Sequence, residues 1–248
     1  MELFNQILIK NGLIFAFLAV GVLMLITNLL SRYFFKNKIP GVALAIGAAL
    51  VLAYFGNQHG IADFSLFGGM ALLGGAMFRD FTIVATSMGA SFNELKKAGV
   101  AGVISLFLGV VVTFFIGGGI GYLMGYRDAI SFTTIGAGAC TYIVGPITGA
   151  SLGAPSEIIA ISVAAGVIKT IFITIITPII AKKIGLDNPL TAMIFGGIVG
   201  TTSGVAAGLA ATDPKLVPYG ALTATFYTGL GVMICPTVLY FIVKLILN

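Results

Sequence analysis

Charge is scarce in this sequence. Asp, Glu, Lys and Arg together make up 8% of its 248 residues, against about 25% in soluble globular domains. That is too little charge to cover a water-facing sphere of this size, so lipid or another membrane subunit is the natural surrounding for most of the surface. Histidine and cysteine are nearly absent as well. His59 stands alone, and Cys140 and Cys235 each lie inside an apolar run. Such a set offers neither a metal-ligand spacing nor a disulfide framework. The net charge of +5 is scattered, with no basic tail or stripe, which argues against a nucleic-acid partner. Tryptophan is missing altogether. No nucleophile is paired with a base and no phosphate-binding loop is present, so no enzyme is indicated.

Apolar residues and glycine dominate instead: 58% of the chain is hydrophobic, the mean hydropathy is +1.11, and there are 34 glycines. A spanning helix needs about 20 mostly apolar residues, and a series of candidates follows. The first runs from Gly12 to Phe34 and is closed by Arg32, Lys36 and Lys38. It is too long for a signal-peptide core and lacks a cleavage-like end, so it reads as a retained span. The second starts at Pro40, reaches about Phe55 and ends at the polar patch Asn57-Gln58-His59. A shorter run, Phe64 to Phe78, stops at Arg79-Asp80; the mixed stretch Phe81 to Phe92 either extends it or lies at the interface, before Glu94, Lys96 and Lys97. A long span, Gly99 to Met124, follows.

From residue 130 the style changes. Ile130 to Ala154 is apolar on average but crowded with Gly136, Gly138, Gly145, Pro146, Gly149 and Gly153, a set that no straight helix favours. A conventional span, Ile158 to Ala181, closes on Lys182-Lys183. Pro189 to Thr212 repeats the broken style, and a last span covers Leu216 to Ile246. A shift of about 58 residues lays Gly145-Pro146 over Ser203-Gly204, Pro155 over Asp213, Lys169-Thr170 over Tyr227-Thr228 and Pro178 over Pro236. Few residues are identical, so class and order carry the sign of an internal duplication.

Lys and Arg collect on the cytoplasmic side. Applied here, that rule puts the first loop inside and Tyr126-Arg127-Asp128 outside. Lys182-Lys183 falls inside only if 130–154 enters from outside and turns back. The same treatment makes 190–212 a second hairpin, entering from inside, although Lys244 then lies outside; a broken but crossing second segment would repair that. Irregular backbone is tolerated at membrane depth only where it is buried in protein or lines a watery cavity. Opposed broken elements near the midplane are how inverted-repeat transporters build substrate sites. The fold expectation is therefore an all-α polytopic membrane protein with inverted repeats, re-entrant hairpins or broken helices, and elevator-type transport. Residues 1–128 hold the N-terminal spans, as scaffold and start of the transport unit; 129–248 form a duplicated transport core.

Three stretches carry a family resemblance: MFRDFTIVATSMGASFNELKKAG (77–99), TTIGAGACTYIVGPITGASLGAPSEIIA (133–160) and DNPLTAMIFGGIVGTTSGVAAGLAATDPKLVPYGALTATFYTGLG (187–231). They resemble the MadM subunit of malonate:sodium symporters, strongly from about residue 64 and before that by length and span pattern. The resemblance implies Na⁺-coupled import of malonate, a small dicarboxylate, across the bacterial inner membrane. It also implies a smaller membrane partner, MadL. It supplies no ligand residues. More loosely, two glycine-rich broken segments, each followed by a helix, is a style shared with elevator-type carriers and LrgB-like membrane proteins.

The candidate residues therefore rest on physical reading. Lys169 lies about midway along its predicted span, where a charge is costly and normally faces the protein interior. It is the first candidate to pair with a malonate carboxylate, the alternatives being a structural pair with Asp80 or Glu157, or snorkelling. Arg79 offers a bidentate fork for carboxylate, or else an interfacial ion pair with Asp80. Thr141, Gly145, Pro146 and Thr148 in the first break, and Thr202, Ser203 and Gly204 in the second, offer hydroxyls and freed backbone to substrate; Tyr227 occupies the slot of Lys169. Thr201, Thr202, Gly138, Asp213 and Thr223 offer oxygens to Na⁺. For the small residues the alternative is close helix packing, and for Asp213-Pro214 it is an N-cap with Pro at the first helical position. A holin-type channel of the LrgB kind and a purely structural membrane subunit remain as rival readings.

Overall fold

A computed structural model of the chain describes residues 9–36, 41–56, 61–73 and 92–247. Among these, every regular element is helical. The chain divides into two units, residues 1–85 and 86–248. His59, Arg79 and Asp80 lie outside the described residues.

In the first unit, α1 (Gly12–Tyr33) and α2 (Gly41–Tyr54) pack together. Two 3-10 turns, Ile61–Asp63 and Ser65–Phe67, lead to the short helix α3 (Gly69–Leu73), which rests on α1 where a side chain at Gly69 would collide with the backbone of Gly12. The expected apolar run from Phe64 thus does not begin as an α-helix. Ser65 and the Gly68-Gly69 pair are weak helix formers, and Phe64 is extended. Within the described residues α2 covers 14 residues.

The second unit opens with α4 (Phe92–Leu123), which starts earlier than the sequence indicates and kinks at Gly99. There follow α5 (Ala129–Cys140), α6 (Val144–Leu152), α7 (Ser156–Ile180), α8 (Pro189–Val199), α9 (Thr202–Ala210) and α10 (Val217–Ile234). A π-helical turn, Cys235–Leu239, joins α10 to α11 (Tyr240–Leu247). Local chemistry sets the starts. The Asp128 carboxylate accepts from the N–H of Ser131, Asn188 and Thr191 form a capping box ahead of Pro189, and Asp213 accepts from the N–H of Lys215. Burial raises the Asp128 carboxyl's affinity for protons, but its hydrogen bonds with Ser131 outweigh that and hold the carboxyl below its ordinary range.

Contact register defines how the chain turns. A methyl placed on Gly145 would come within 2.7 Å of the Gly138 Cα, and one on Gly149 within 2.8 Å of the Thr134 Cγ2. The partner numbers rise on one helix as they fall on the other, so α5 and α6 form an antiparallel hairpin. It lies along the first half of α7, with Gly138 and Gly145 against Ser162, Tyr142 against Gly166, and Gly149 against Ile159. The helices α8 and α9 also reverse direction, but α10 is wedged beside them and they barely touch each other. There α8 runs parallel to α10, with Gly196 against Gly220 and Gly200 against Tyr227. The helix α9 runs parallel to the second half of α7, with Gly204 against Thr170 and Gly208 against Thr177. The two hairpins therefore enter from opposite ends of α7 and bring their tips to its middle.

The 58-residue offset is visible in these contacts. The pair Gly138–Ser162 recurs as Gly196–Gly220, and α6 and α9 have nine residues each at that offset. Pro178 inside α7 corresponds to Pro236 in the π turn. Among the described residues, four stretches are long and apolar enough to cross a membrane: Gly12–Tyr33, Gly99–Leu123, Ser156–Ile180 and Pro214–Leu247. Polarity is distributed as lipid demands. Buried positions include Thr133, Thr170, Thr174, Thr177, Thr223 and Thr228, while Phe107, Ile116, Phe172, Met233 and Phe241 are exposed. In water the hydrophobic effect would favour the reverse. The chain is an all-α polytopic membrane protein.

Candidate functional site

The breaks at the two tips are built differently. At the first, α5 ends when Thr141 becomes fully extended (φ −153°, ψ 152°), and the Thr141 hydroxyl accepts from the N–H groups of Ile143 and Val144 at 3.3 and 3.2 Å. The Thr141 carbonyl also accepts from the N–H groups of Val144 and Gly145, so Thr141 holds the turn into α6 through both its side chain and its main chain. At the second, Gly200 takes a left-handed turn (φ 80°), a conformation glycine adopts without steric cost. Its α-carbon faces the ring of Tyr227 so closely that a methyl there would overlap it.

The helix α7 binds both tips through consecutive residues. Lys169 Nζ donates to the carbonyl of Cys140, the last residue of α5, at 2.9 Å and lies 5.2 Å from the centre of the Tyr227 ring. A helix C-terminus carries partial negative charge, and an aromatic face attracts a cation. Among the described residues no carboxylate pairs with this ammonium. Thr170 donates its hydroxyl proton to the carbonyl of Gly166 and lies 2.7 Å from the Thr201 hydroxyl. A hydroxyl has one proton, so while Thr170 donates to Gly166 it accepts from Thr201, and either hydroxyl can serve as donor in the Thr170–Thr201 pair. The Tyr227 hydroxyl reaches the carbonyl of Gly109 on α4 at 3.2 Å, and the Cys140 thiol reaches that of Val110 at 3.5 Å. Both hairpin tips, α4, α7 and α10 thus converge at the middle of the second unit.

The structure brings together Lys169, Thr141, Thr201, Tyr227, Gly138, Gly145 and Gly204. Gly138 and Gly145 serve there as contact points for Ser162, and Gly204 packs on Thr170. Thr148 is buried in the first hairpin, and Pro146 is partly buried. Thr202 is partly buried, whereas Ser203 is exposed on the outer side of α9. Thr223 bonds back to the carbonyls of Tyr219 and Gly220 and packs on Gly196, below the tip. Asp213 caps the turn that precedes α10, at the open end of the second hairpin rather than at its tip. Arg79 lies outside the described residues.

Sequence reasoning missed Thr170 and the carbonyls of Cys140 and Gly109. Thr170 had a readable signal: Gly166, Thr170, Thr174 and Thr177 recur at helical spacing and are all buried, which marks one inward face of α7. A backbone carbonyl leaves no such trace in side-chain identity.

The family model of the malonate/sodium symporter MadM subunit matches residues 4–247. No curated protein and no solved structure matches. A match over nearly the whole chain, on an apolar helical protein with two hairpins meeting at a central lysine, places this protein in the MadM family, as a membrane subunit of a malonate/sodium symporter.

Proposed function

We propose that this chain forms the path for malonate and Na⁺, and that malonate docks between the two hairpin tips with one carboxylate on Lys169. The observation that carries this reading is that, among the described residues, the Lys169 ammonium meets a carbonyl and an aromatic ring and no carboxylate. Lys169 sits 13 residues from the start of α7 and 11 from its end, some 15–20 Å from either at about 1.5 Å per residue. A charge at that depth normally faces the interior and marks a substrate or ion path. Its present partners, a carbonyl and an aromatic ring, are neutral. An incoming carboxylate supplies the missing opposite charge.

Around it, the Thr141, Thr201 and Tyr227 groups and the carbonyls at the hairpin ends offer further contacts, with Gly145, Pro146, Thr148, Thr202 and Gly204 shaping the two tips. On this reading both hairpins are re-entrant. Residues 129–248 are the moving core of an elevator-type, alternating-access carrier, α4 is the start of the transport unit, and the earlier helices are scaffold. The chain acts as a carrier and not as an enzyme, in the bacterial inner membrane, together with a small MadL-like membrane subunit. The test is malonate uptake into proteoliposomes containing both subunits, with and without a Na⁺ gradient. Wild-type uptake should require the gradient, and Lys169→Ala should abolish it while still inserting in the membrane. Normal uptake by that variant removes Lys169 from the mechanism, and uptake indifferent to Na⁺ overturns the carrier reading.

A further inference from the structure

The buried hydroxyls of the first hairpin are an anomaly that the site above does not use. Among the described residues, the buried side-chain oxygens without a hydrogen-bond partner are Thr133 Oγ1, Thr134 Oγ1 and Thr148 Oγ1. All three belong to the α5–α6 hairpin, and all three residues are 0% exposed. Several other buried threonines return their hydroxyl proton to a helical carbonyl, as Thr174, Thr177, Thr225 and Thr228 do. A buried polar atom left unpaired is costly and calls for an explanation, an unseen ion or water among them.

The duplication supplies an internal control. At the 58-residue offset fixed by Gly138–Ser162 and Gly196–Gly220, Thr134 corresponds to Ala192 and Thr148 to Ala206. The second hairpin forms with alanine in both slots, so the hydroxyls are not needed to build such a hairpin. The Thr134 side chain packs by its methyl against Gly149, the residue next to Thr148, one helical turn from the Gly138–Gly145 crossing, which puts both residues on the facing sides of the hairpin's two helices. Thr133 has no comparable control, because its counterpart Thr191 belongs to a helix cap.

We infer that Thr134 and Thr148 are ligands of the transported Na⁺, held inside the first hairpin. The chemistry selects this ion class. Residues 129–152 contain no charged side chain, so nothing in the hairpin itself attracts an anion. Fully enclosed neutral oxygens suit a hard monovalent cation stripped of water, as hydroxyls and freed helix-end carbonyls do in other transporter sites. A dicarboxylate is too large for a place with no exposure. The inference rests on the reading that this chain carries the ion path, and it is independent of the role given to Lys169.

The experiment is thermal unfolding of the purified symporter, with all its subunits, titrated with NaCl against KCl at constant ionic strength and without malonate. Wild type should be stabilised by Na⁺ and not by K⁺. Thr134→Val and Thr148→Val remove the hydroxyl while keeping the shape. They should unfold in KCl no lower than wild type, and the Na⁺ concentration giving half the stabilisation should rise at least about tenfold, a loss of about 1.4 kcal/mol in affinity. Thr134→Ser should restore the wild-type response. Three results overturn the assignment: wild type indifferent to Na⁺, valine variants with an unchanged Na⁺ response, or valine variants markedly weaker in KCl, which would mean the hydroxyls bind structural water. Failure here leaves Lys169-dependent uptake intact, whereas failure of the Lys169 test leaves the Na⁺ response intact, so the two outcomes are separable.

Discussion

Replacing Gly200 by alanine tests how tightly the second hairpin tip is fixed. Two separate costs arise at that position. The left-handed φ of 80° disfavours any residue with a Cβ by about 1–2 kcal/mol. The added methyl would also overlap the Tyr227 ring, and overpacking of this kind costs about 1–3 kcal/mol. Gly153 provides the matched control. It has a similar φ of 70°, but an added methyl there meets nothing within 4 Å. Gly153→Ala should therefore cost only the conformational part, and Gly200→Ala should cost about 1–3 kcal/mol more. At about 2–4 °C per kcal/mol for chains of 150–250 residues, the Tm of Gly200→Ala should lie roughly 2–12 °C below that of Gly153→Ala. The assay is thermal unfolding of the two purified variants side by side, followed by malonate uptake. Uptake should fall only for Gly200→Ala, because its tip carries Thr201 and is seated on the ring that faces Lys169. Adding Tyr227→Leu to Gly200→Ala should recover the packing part of the stability loss. Equal Tm values for the two glycine variants would refute the claim that Tyr227 seats this tip.

Other changes probe the same centre. Thr170→Val and Thr201→Val should show a coupling of about 0.5–1.5 kcal/mol in a double-mutant cycle of unfolding free energies, the ordinary worth of one hydrogen bond. Lys169→Met should lower malonate affinity about a thousandfold in direct binding. At 4 Å and an effective dielectric constant near 20, a unit charge pair is worth about 4 kcal/mol. Asp213→Asn should leave both stability and the Na⁺ dependence of uptake near wild type, since asparagine caps as well as aspartate; Asp213→Ala should lower stability by about 0.5–2 kcal/mol and leave the Na⁺ dependence unchanged.

The broken segments were legible because their chemistry is local. Glycine, proline and hydroxyl residues at the density of 136–153 cannot sustain a straight helix, and the cap at Asp213 follows from a short-range pattern. The depth of Lys169 was legible from span length alone. Ser203 illustrates what was not. Thr202, Ser203 and Gly204 are consecutive in sequence, and neighbours on an α-helix point about 100° apart, so they cannot all face one site. In the structure Gly204 faces α7 and Ser203 faces outward. The partners of Lys169 and Tyr227 were illegible for another reason: both are main-chain carbonyls, placed by tertiary packing that brings Gly109 beside a residue 118 positions away.

The two halves share a frame and differ in chemistry, and the difference has one direction. Lys169 stands where the second half has Tyr227, and Thr134 and Thr148 stand where it has Ala192 and Ala206. The frame positions, by contrast, keep their character: Gly138 and Gly196 each meet the backbone of the following long helix at the same register. On the proposed carrier reading, two hairpins entering from opposite ends of α7 would give a path whose two sides are built alike, as access from either side requires. Such a frame, taken alone, favours neither solute nor ion. On the proposed reading, recognition draws on two of the places where the copies have diverged, the first hairpin and the face of α7 against its tip. The second hairpin contributes through shape, with Gly200 closing on Tyr227 and Thr201 bonded to Thr170. On the proposed reading the first tip and Lys169 would read charge, while the second would sense whether α7 is in place. A solute that draws Lys169 away from the Cys140 carbonyl would act on the second tip through the adjoining Thr170, because residues 169 and 170 share one turn of one helix.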